Sequence, residues 1–444
     1  MSNLDGIKTI VIVMMENRSF DHLLGFMSHE LFPFKRTDVD GLHQHSNDFD
    51  WDNPDNGGAL YAPTATPDGY LPCDLPHSRK HVGMQLDSGG MTGFIKAYFD
   101  LQQIDRTPVP MRFCDPRDIP ITAKLASEYV VCDKWFASLP DDTFPNRLMA
   151  LSGYTRIDDT SVIKPPLHLI PDQTTIFDWL ANKGKNFKIY VDAEAIANLG
   201  PPTNLWLMKS QWRTAVDHAH TFDVLAKEWP DNAVAAPDVI YCEPFYNDFA
   251  TAMGKHGGCN HPPLPTWPGE VFLKKVYETL TSNPTKWANT MLVVCYDEHG
   301  GFFDHVAPPG MKYGPPADGL WKDPTMFTTL GVRVPGFVVS PRVAPKTTFH
   351  QLLDHTSILQ LMVDKFGTAN DDLEFFGDAP ARKHSGVHSL AETITLASPR
   401  ANDKVTFDPL PPEPRSSATT PPITDVGKMF RAVIADNPAA LLNK

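Results

Sequence analysis

No stretch of this 444-residue sequence approaches the ~18–20 consecutive apolar residues that carry a helix across a bilayer. The N-terminal apolar run, Ile10 to Met15, is short, has Asp5 before it and Glu16 after it, and lacks a small-residue cleavage site. It is not a secretory signal. The six cysteines form no Cys-x-x-Cys pair, which argues against a structural zinc knuckle and leaves disulfides undecided. No internal repeat is present. Positive charge is in deficit: 39 Lys and Arg against 53 Asp and Glu give a net charge of -14. That balance argues against broad nucleic-acid binding, which needs a basic face, and leaves room for a local cationic pocket. An acidic surface also repels anionic lipid headgroups, so any lipid substrate is more comfortably zwitterionic.

The chain has 42% hydrophobic and 21% charged residues, the composition of a globular protein. Its length admits roughly three domains, or one large α/β domain with insertions, at about 150 residues per domain. The 42 prolines imply many ordered loops and turns. Short β-rich apolar runs alternate with helical patterns, which predicts a mostly parallel sheet covered on both faces. Strands are expected at 9–14, 129–132, 187–191, 239–242, 291–295 and 334–339. Helices are expected at 121–127, 147–152, 175–183, 269–281, 357–366 and 428–436. Residues 35–75 and 308–325 read as loop insertions, of a kind often used as lids. The catalytic domain is expected over residues 1–408. Residues 409–444 are expected to form a Pro-rich arm and a C-terminal helix packing on the same domain.

Three segments carry chemistry. Glu16-Asn17-Arg18-Ser19-Phe20-Asp21-His22 directly follows the first expected strand. In open α/β sheets ligands gather at the carboxyl ends of strands, and a carboxylate and an amide oxygen are hard ligands for a divalent cation. The same residues also suit a turn and a helix cap. Tyr296-Asp297-Glu298-His299-Gly300-Gly301-Phe302-Phe303-Asp304-His305 follows another expected strand. Two crowded carboxylates repel unless a cation or a proton intervenes. A solvent-facing acidic turn is the plainer alternative. Thr143-Phe144-Pro145-Asn146-Arg147 precedes a helical pattern that ends at Gly153. Thr143 then lies at a helix N-terminus, where an anion is favoured and where a threonine is also a common cap. Histidines 77, 261, 299, 305 and 355 sit in loops or at element ends, and His355 also looks like a helix start. Phe302, Phe303, Trp321 and Phe327 suit either an apolar approach or the core.

In order and spacing these segments resemble the bacterial phospholipase C and acid phosphatase superfamily, to which plant non-specific phospholipases C also belong. Asp115-x-x-Asp118-Ile119-Pro120, Cys132-Asp133-x-Trp135-Phe136 and Asp354-His355-Thr356-Ser357-Ile358 add to the likeness, which runs from about residue 7 to about residue 366. The resemblance implies an α/β fold, an alkaline-phosphatase-like three-layer sandwich with a mostly parallel central sheet. It implies one divalent metal held by Glu16, Asn17, Asp297, Glu298 and Thr143. Hard oxygen ligands favour Ca²⁺, Mg²⁺ or Mn²⁺, with Zn²⁺ also used in related folds. It implies Thr143 as nucleophile and His77 and His261 as catalytic partners at the phosphoryl group or the leaving oxygen. Asn146, Arg147, His299 and Asp304 are expected to bind substrate. The phosphatase branch has Ser where this chain has Thr143, which tilts the expectation toward phosphodiesters. The expected activity is phospholipase C-type cleavage of a lipid such as phosphatidylcholine to diacylglycerol and a phosphorylated headgroup, through a phosphothreonine. A broad-specificity acid phosphatase is the alternative. The expected partners are a phospholipid or small phosphate-ester substrate and, transiently, a membrane or micelle surface, with no nucleic acid. The family's frequent export implies a secreted or periplasmic setting if a leader was removed, and a cytoplasmic one if this is the full native chain.

Overall fold

The segment Thr9–Met15 reads TIVIVMM, with no polar residue on alternate positions, and all seven residues are buried. This is the pattern of a strand covered on both faces. The computed structural model describes residues 3–43, 51–101, 107–160, 170–192, 208–247, 257–368, 372–401 and 403–415. Its central sheet has eight strands: β1 Thr9–Met15, β2 Val130–Cys132, β3 Phe187–Val191, β4 Ala219–Thr221, β5 Val239–Glu243, β6 Thr290–Tyr296, β7 Gly336–Val339 and β8 Thr347–Phe349. Their spatial order is β8-β2-β7-β6-β1-β5-β3-β4. Only β7 runs antiparallel to its neighbours, β6 and β2. The sheet is therefore mostly parallel, as the alternating pattern implies.

All six expected strands lie in this sheet. Both outer strands, β4 and β8, were not expected from the sequence. Each has only three residues, all half-buried, so neither an apolar run nor an alternation marks it. Five of the six expected helices are present within a few residues; the sixth, 428–436, lies outside the described residues. The helix expected at 147–152 starts earlier, as Thr143–Ser152, and so takes in the whole third motif. Arg79–Leu86 and Phe94–Leu101 are helices that the sequence reading did not anticipate.

The register that matters for function pairs β1 with β6 in parallel, from Thr9 with Thr290 to Met15 with Tyr296. The two strands end level, so Glu16-Asn17 and Asp297-Glu298 leave the sheet side by side. β5 lies on the other side of β1 and ends at Glu243.

The described parts of the two insertions contain short strand pairs. Within 35–75, Asn53–Pro54 pairs with Leu60–Tyr61, and Thr64–Thr66 pairs with Arg112–Cys114. Gly310–Tyr313 pairs with Phe327–Thr329 in a second ribbon. One hydrophobic core runs from Leu4 to Ile394, and Val405, Phe407 and Leu410 pack against it. Trp267 Nε1 donates to the Pro411 carbonyl at 2.8 Å, so the start of the Pro-rich arm lies on the domain. All six cysteines are free. No helix of the described residues is long and apolar enough to cross a membrane.

Candidate active site

Glu16, Asn17, Asp297 and Glu298 are each at most 2% exposed. Asn17 has φ 59°, a left-handed conformation that asparagine tolerates better than most residues. This bend turns its backbone N–H onto Asp297 Oδ1 at 3.0 Å, while its side-chain Nδ2 donates to Glu298 Oε1. Asn17 Oδ1 is buried and accepts no hydrogen bond. Glu298 N–H also donates to Asp297 Oδ1 at 2.7 Å, and Gly300 N–H to Glu298 Oε2 at 2.7 Å. Gly300 has φ 63°, and a Cβ there would sit 2.0 Å from the Asn17 carbonyl oxygen. Only glycine permits so close a meeting of the two strand-end loops.

Burial pushes Asp297 up to about 6; Arg147 opposes the shift and the Glu298 charge adds to it. Burial also acts to raise Glu298, but His77 and His299 outweigh it and hold that carboxyl below its ordinary value. The main counter-charge is Arg147, on the Thr143–Ser152 helix. Its Nε donates to Asp297 Oδ2 at 2.9 Å, and its other nitrogens lie 3.3 Å from Glu16 Oε1 and 3.8 Å from Glu243 Oε2. It also donates to Tyr246 Oη at 2.7 Å and to the Met15 carbonyl at 3.3 Å. Burial would lower the Arg147 pKa, but the three carboxylates raise it. Glu243 is itself pushed up to about 7, by burial first, against the pull of Arg147 and with repulsion from Asp297.

Thr143 opens that helix and is 4% exposed. Residues i and i+4 share a helix face, so the arginine that grips Asp297 sets the side on which Thr143 lies. Asp142 precedes it at the cap position and accepts from the Thr160 N–H and, at 2.7 Å, from the Thr160 hydroxyl. Burial and Asp159 push Asp142 up to about 7, against the Thr160 bonds and the His77 charge. Asn146 is fully buried: its Oδ1 accepts from Leu139 N–H, and its Nδ2 donates to the carbonyls of Leu139, Asp141 and Asp142. It therefore holds the loop that delivers Thr143.

His77 and His261 meet edge to face with ring centroids 5.7 Å apart. Asp74 Oδ1 lies 4.0 Å from Nδ1 of each. His77 Nδ1 is 2.6 Å from the Leu75 carbonyl, and His261 Nδ1 meets the Pro262 carbonyl. A carbonyl only accepts, so both Nδ1 atoms carry hydrogen. Burial would lower the His77 pKa, but Glu298, Asp74 and Asp142 together raise it to about 10. His77 thus lies in the field of Glu298 after β6 and of Asp142, the cap before Thr143.

His299 and Asp304 sit among protein partners. His299 Nε2 is 2.8 Å from Gln85 Oε1, and its Nδ1 is 3.2 Å from Glu298 Oε2. Asp304 pairs with Arg333 at 3.1 Å and accepts from Asp21 N–H at 3.0 Å. Phe302 and Phe303 are buried in the core.

Acidic and histidine groups able to hold a metal ion are present. Two trios have ligand atoms all within 4.8 Å of one another: Asp74, His77 and His261, and Asp21, Asp304 and His305. Arg333 already neutralises the second trio through Asp21 and Asp304. Among the described residues, Glu16, Asp297 and Glu298 do not form such a tight trio. Their donor set still fits a cation. Three carboxylates are buried beside one arginine, and Asn17 Oδ1 is a buried acceptor without a donor.

Sequence reasoning missed Asp74, Glu243 and Tyr246. Glu243 carries the same signal as Glu16, an acidic residue ending a buried apolar strand. Asp74 lies three residues before His77, a spacing without a distinctive motif.

Residues 7–369 match the phosphoesterase family. A curated relative, non-specific phospholipase C6 of Arabidopsis thaliana, is 32% identical over 77% of this chain; the chain spans 63% of that relative's length. Phospholipase C B of Mycobacterium tuberculosis is 28% identical over 91% of this chain and 81% of its own. A solved protein in the alkaline phosphatase superfamily from Vibrio parahaemolyticus is 10% identical, with a TM-score of 0.36 over 71% of this chain and 69% of that one.

Proposed function

The chain belongs to the phosphoesterase family, and from that premise we propose that it is a phosphoric ester hydrolase of the phospholipase C type. One observation carries the reading: β1 and β6 end level, and Arg147 of the Thr143 helix is bonded to Asp297 at their tip. A hydroxyl at a helix N-terminus is thereby tied to a buried group of hard oxygen ligands. The names of the plant and mycobacterial relatives support phospholipids as the substrate class.

In this proposal Thr143 Oγ attacks phosphorus in line. The Thr143 hydroxyl proton passes to solvent, the Oγ–P bond forms and the bond from phosphorus to the glycerol oxygen breaks. His77 gives the departing oxygen a proton. Its Nδ1–H is engaged by Leu75, so Nε2 is the atom that donates. The positive end of the Thr143–Ser152 helix dipole favours charge that grows on the phosphoryl oxygens; of its first-turn N–H groups Phe144 is already engaged by Thr160 and Pro145 has none. Water gives a proton to the now neutral His77 and attacks phosphorus; the P–Oγ bond breaks, Thr143 Oγ regains a proton, and the phosphorylated headgroup is released. His261 and Asp74 hold the histidine pair in place. Asn146, Arg147 and Asp304, whose polar atoms are engaged within the protein, shape the frame rather than touch substrate.

Glu16, Asn17, Asp297 and Glu298, with the Thr143 hydroxyl, would hold one divalent cation, with Ca²⁺, Mg²⁺ or Mn²⁺ preferred to Zn²⁺. Such an ion lowers the pKa of a bound hydroxyl and stabilises phosphoryl charge.

A paired assay tests the proposal. Turnover of p-nitrophenyl phosphorylcholine is compared with that of p-nitrophenyl phosphate, with and without chelator, using Thr143→Ala as the blank. Preference for the diester, lost with the substitution and with chelator, is the expected result. Preference for the monoester would make the protein a phosphatase.

A further inference from the structure

Beside the site lies a cleft of about 530 Å³, walled on one side by the Arg79–Leu86 helix and on the other by Met326 and Phe327 of the second ribbon. Its lining starts next to the catalytic residues. Arg79 is two residues from His77, and Pro140 is three from Thr143. Three residues span at most ~11 Å, so Arg79 and Pro140 of the lining lie within that Cα distance of His77 and Thr143.

The cleft suits an uncharged guest. Leu86, Pro140, Met326 and Phe327 give it apolar walls. Its one charged side chain, Arg79, is already satisfied: Nη1 pairs with Asp158 at 3.2 Å, Nη2 donates to the Thr325 carbonyl at 2.7 Å, and the guanidinium lies over the Phe327 ring at 4.1 Å. Nothing in the lining calls for a phosphate or a quaternary amine.

Gly83 is a second, independent sign. It lies inside the helix, where glycine is about 1 kcal/mol worse than alanine. No crowding accounts for it, because a Cβ at Gly83 would meet nothing within 4 Å. Its φ lies outside the left-handed range that would demand glycine. What a side chain there would do is fill the cleft.

Resting on the phospholipase C reading, we infer that this cleft is the subsite for the acylated glycerol, the uncharged half of the lipid, and that Gly83 keeps it open. The headgroup side of the phosphodiester then points away from the Arg79–Leu86 helix. Met326, 52% exposed at the rim, covers the first carbons of an acyl chain as it leaves the protein.

The test uses Gly83→Trp and, from the opposite wall, Met326→Glu. Binding of 1,2-dihexanoylglycerol is measured by calorimetry. Turnover of monomeric dihexanoyl-phosphatidylcholine is compared with that of p-nitrophenyl phosphorylcholine, which has no acyl chain. The expected result is at least tenfold weaker dihexanoylglycerol binding and at least tenfold lower lipid turnover in both variants. Turnover of the nitrophenyl ester, whose leaving group enters the same cleft without an acyl chain, should fall several-fold less than lipid turnover, and thermal melting of Gly83→Trp should not fall. Dihexanoylglycerol binding unchanged in both variants, or no binding to the unaltered protein, would overturn the assignment. Intact binding without any Thr143-dependent turnover would instead overturn the phospholipase reading and leave the subsite standing.

Discussion

The His355 imidazole donates from Nε2 to the main-chain carbonyl of Asp297 at 2.6 Å, while its Nδ1 accepts from Trp135 Nε1 at 3.3 Å. Only a neutral ring does both, and burial lowers the His355 pKa to about 4. Its position suggests a cap for the Thr356–Phe366 helix, yet its side chain makes no cap bond. It anchors the peptide of a site carboxylate instead. His355→Ala strands a buried carbonyl and a buried indole N–H, at roughly 1–3 kcal/mol each. Urea unfolding should show a loss of that order, and kcat should fall more than KM changes. Unaltered stability and kcat would remove His355 from the frame of the site.

Arg147 balances Glu16, Asp297 and Glu243, the first two buried and Glu243 partly so. Removing one partner of a buried ion pair is destabilising by roughly 3–5 kcal/mol. Arg147→Met should reach that range in urea unfolding. Arg147→Lys should recover only part of it, because an ammonium cannot reach Asp297, Glu16 and Tyr246 in the planar fork that arginine uses. Full recovery by lysine would show that charge alone matters there.

Two glycines should respond in opposite directions. Gly300→Ala forces a Cβ onto the Asn17 carbonyl at a positive φ. It should destabilise the fold and lower turnover, since the two strand-end loops meet at that point. Gly83→Ala meets open space in a helix and should stabilise by about 0.5–1 kcal/mol. Melting temperatures of the two variants check both signs.

The sequence was most legible where one strand announces itself alone. The buried runs of β1 and β6, each followed by hard oxygen ligands, marked Glu16, Asn17, Asp297 and Glu298 before any tertiary contact was known. The third motif marked Thr143. Partnerships across the fold were not legible. The grip of Arg147 on Asp297 spans 150 residues, and the trio of Asp74, His77 and His261 joins loops that have no common period. Short edge strands such as Thr347–Phe349 stayed hidden because they exist through pairing with a neighbour, not through a pattern of their own.

The His305 ring links Asp21 Oδ2 at 2.7 Å to Asp40 Oδ1 at 3.1 Å, with Arg333 and Asp304 alongside. Burial would lower its pKa, but Asp21 and Asp40 outweigh burial and Arg333 and raise it to about 10. The folded value lies above the unfolded one of ~6.5. Its contribution to stability is therefore complete below about pH 6.5 and is lost as pH rises toward 10. The stability gap between the unaltered protein and His305→Asn should be large at pH 6 and shrink by pH 9.5. Urea midpoints at both pH values read it directly, and a gap that grows with pH would contradict the ion-pair role.

The stereochemistry at phosphorus tests the proposed Thr143 mechanism most directly. A phosphodiester made chiral at phosphorus with sulfur and an oxygen isotope is hydrolysed, and the configuration of the product is determined. Two in-line displacements, first by Thr143 and then by water, give retention, the expected result. Inversion would mean a single direct attack by water and would contradict Thr143 as the nucleophile.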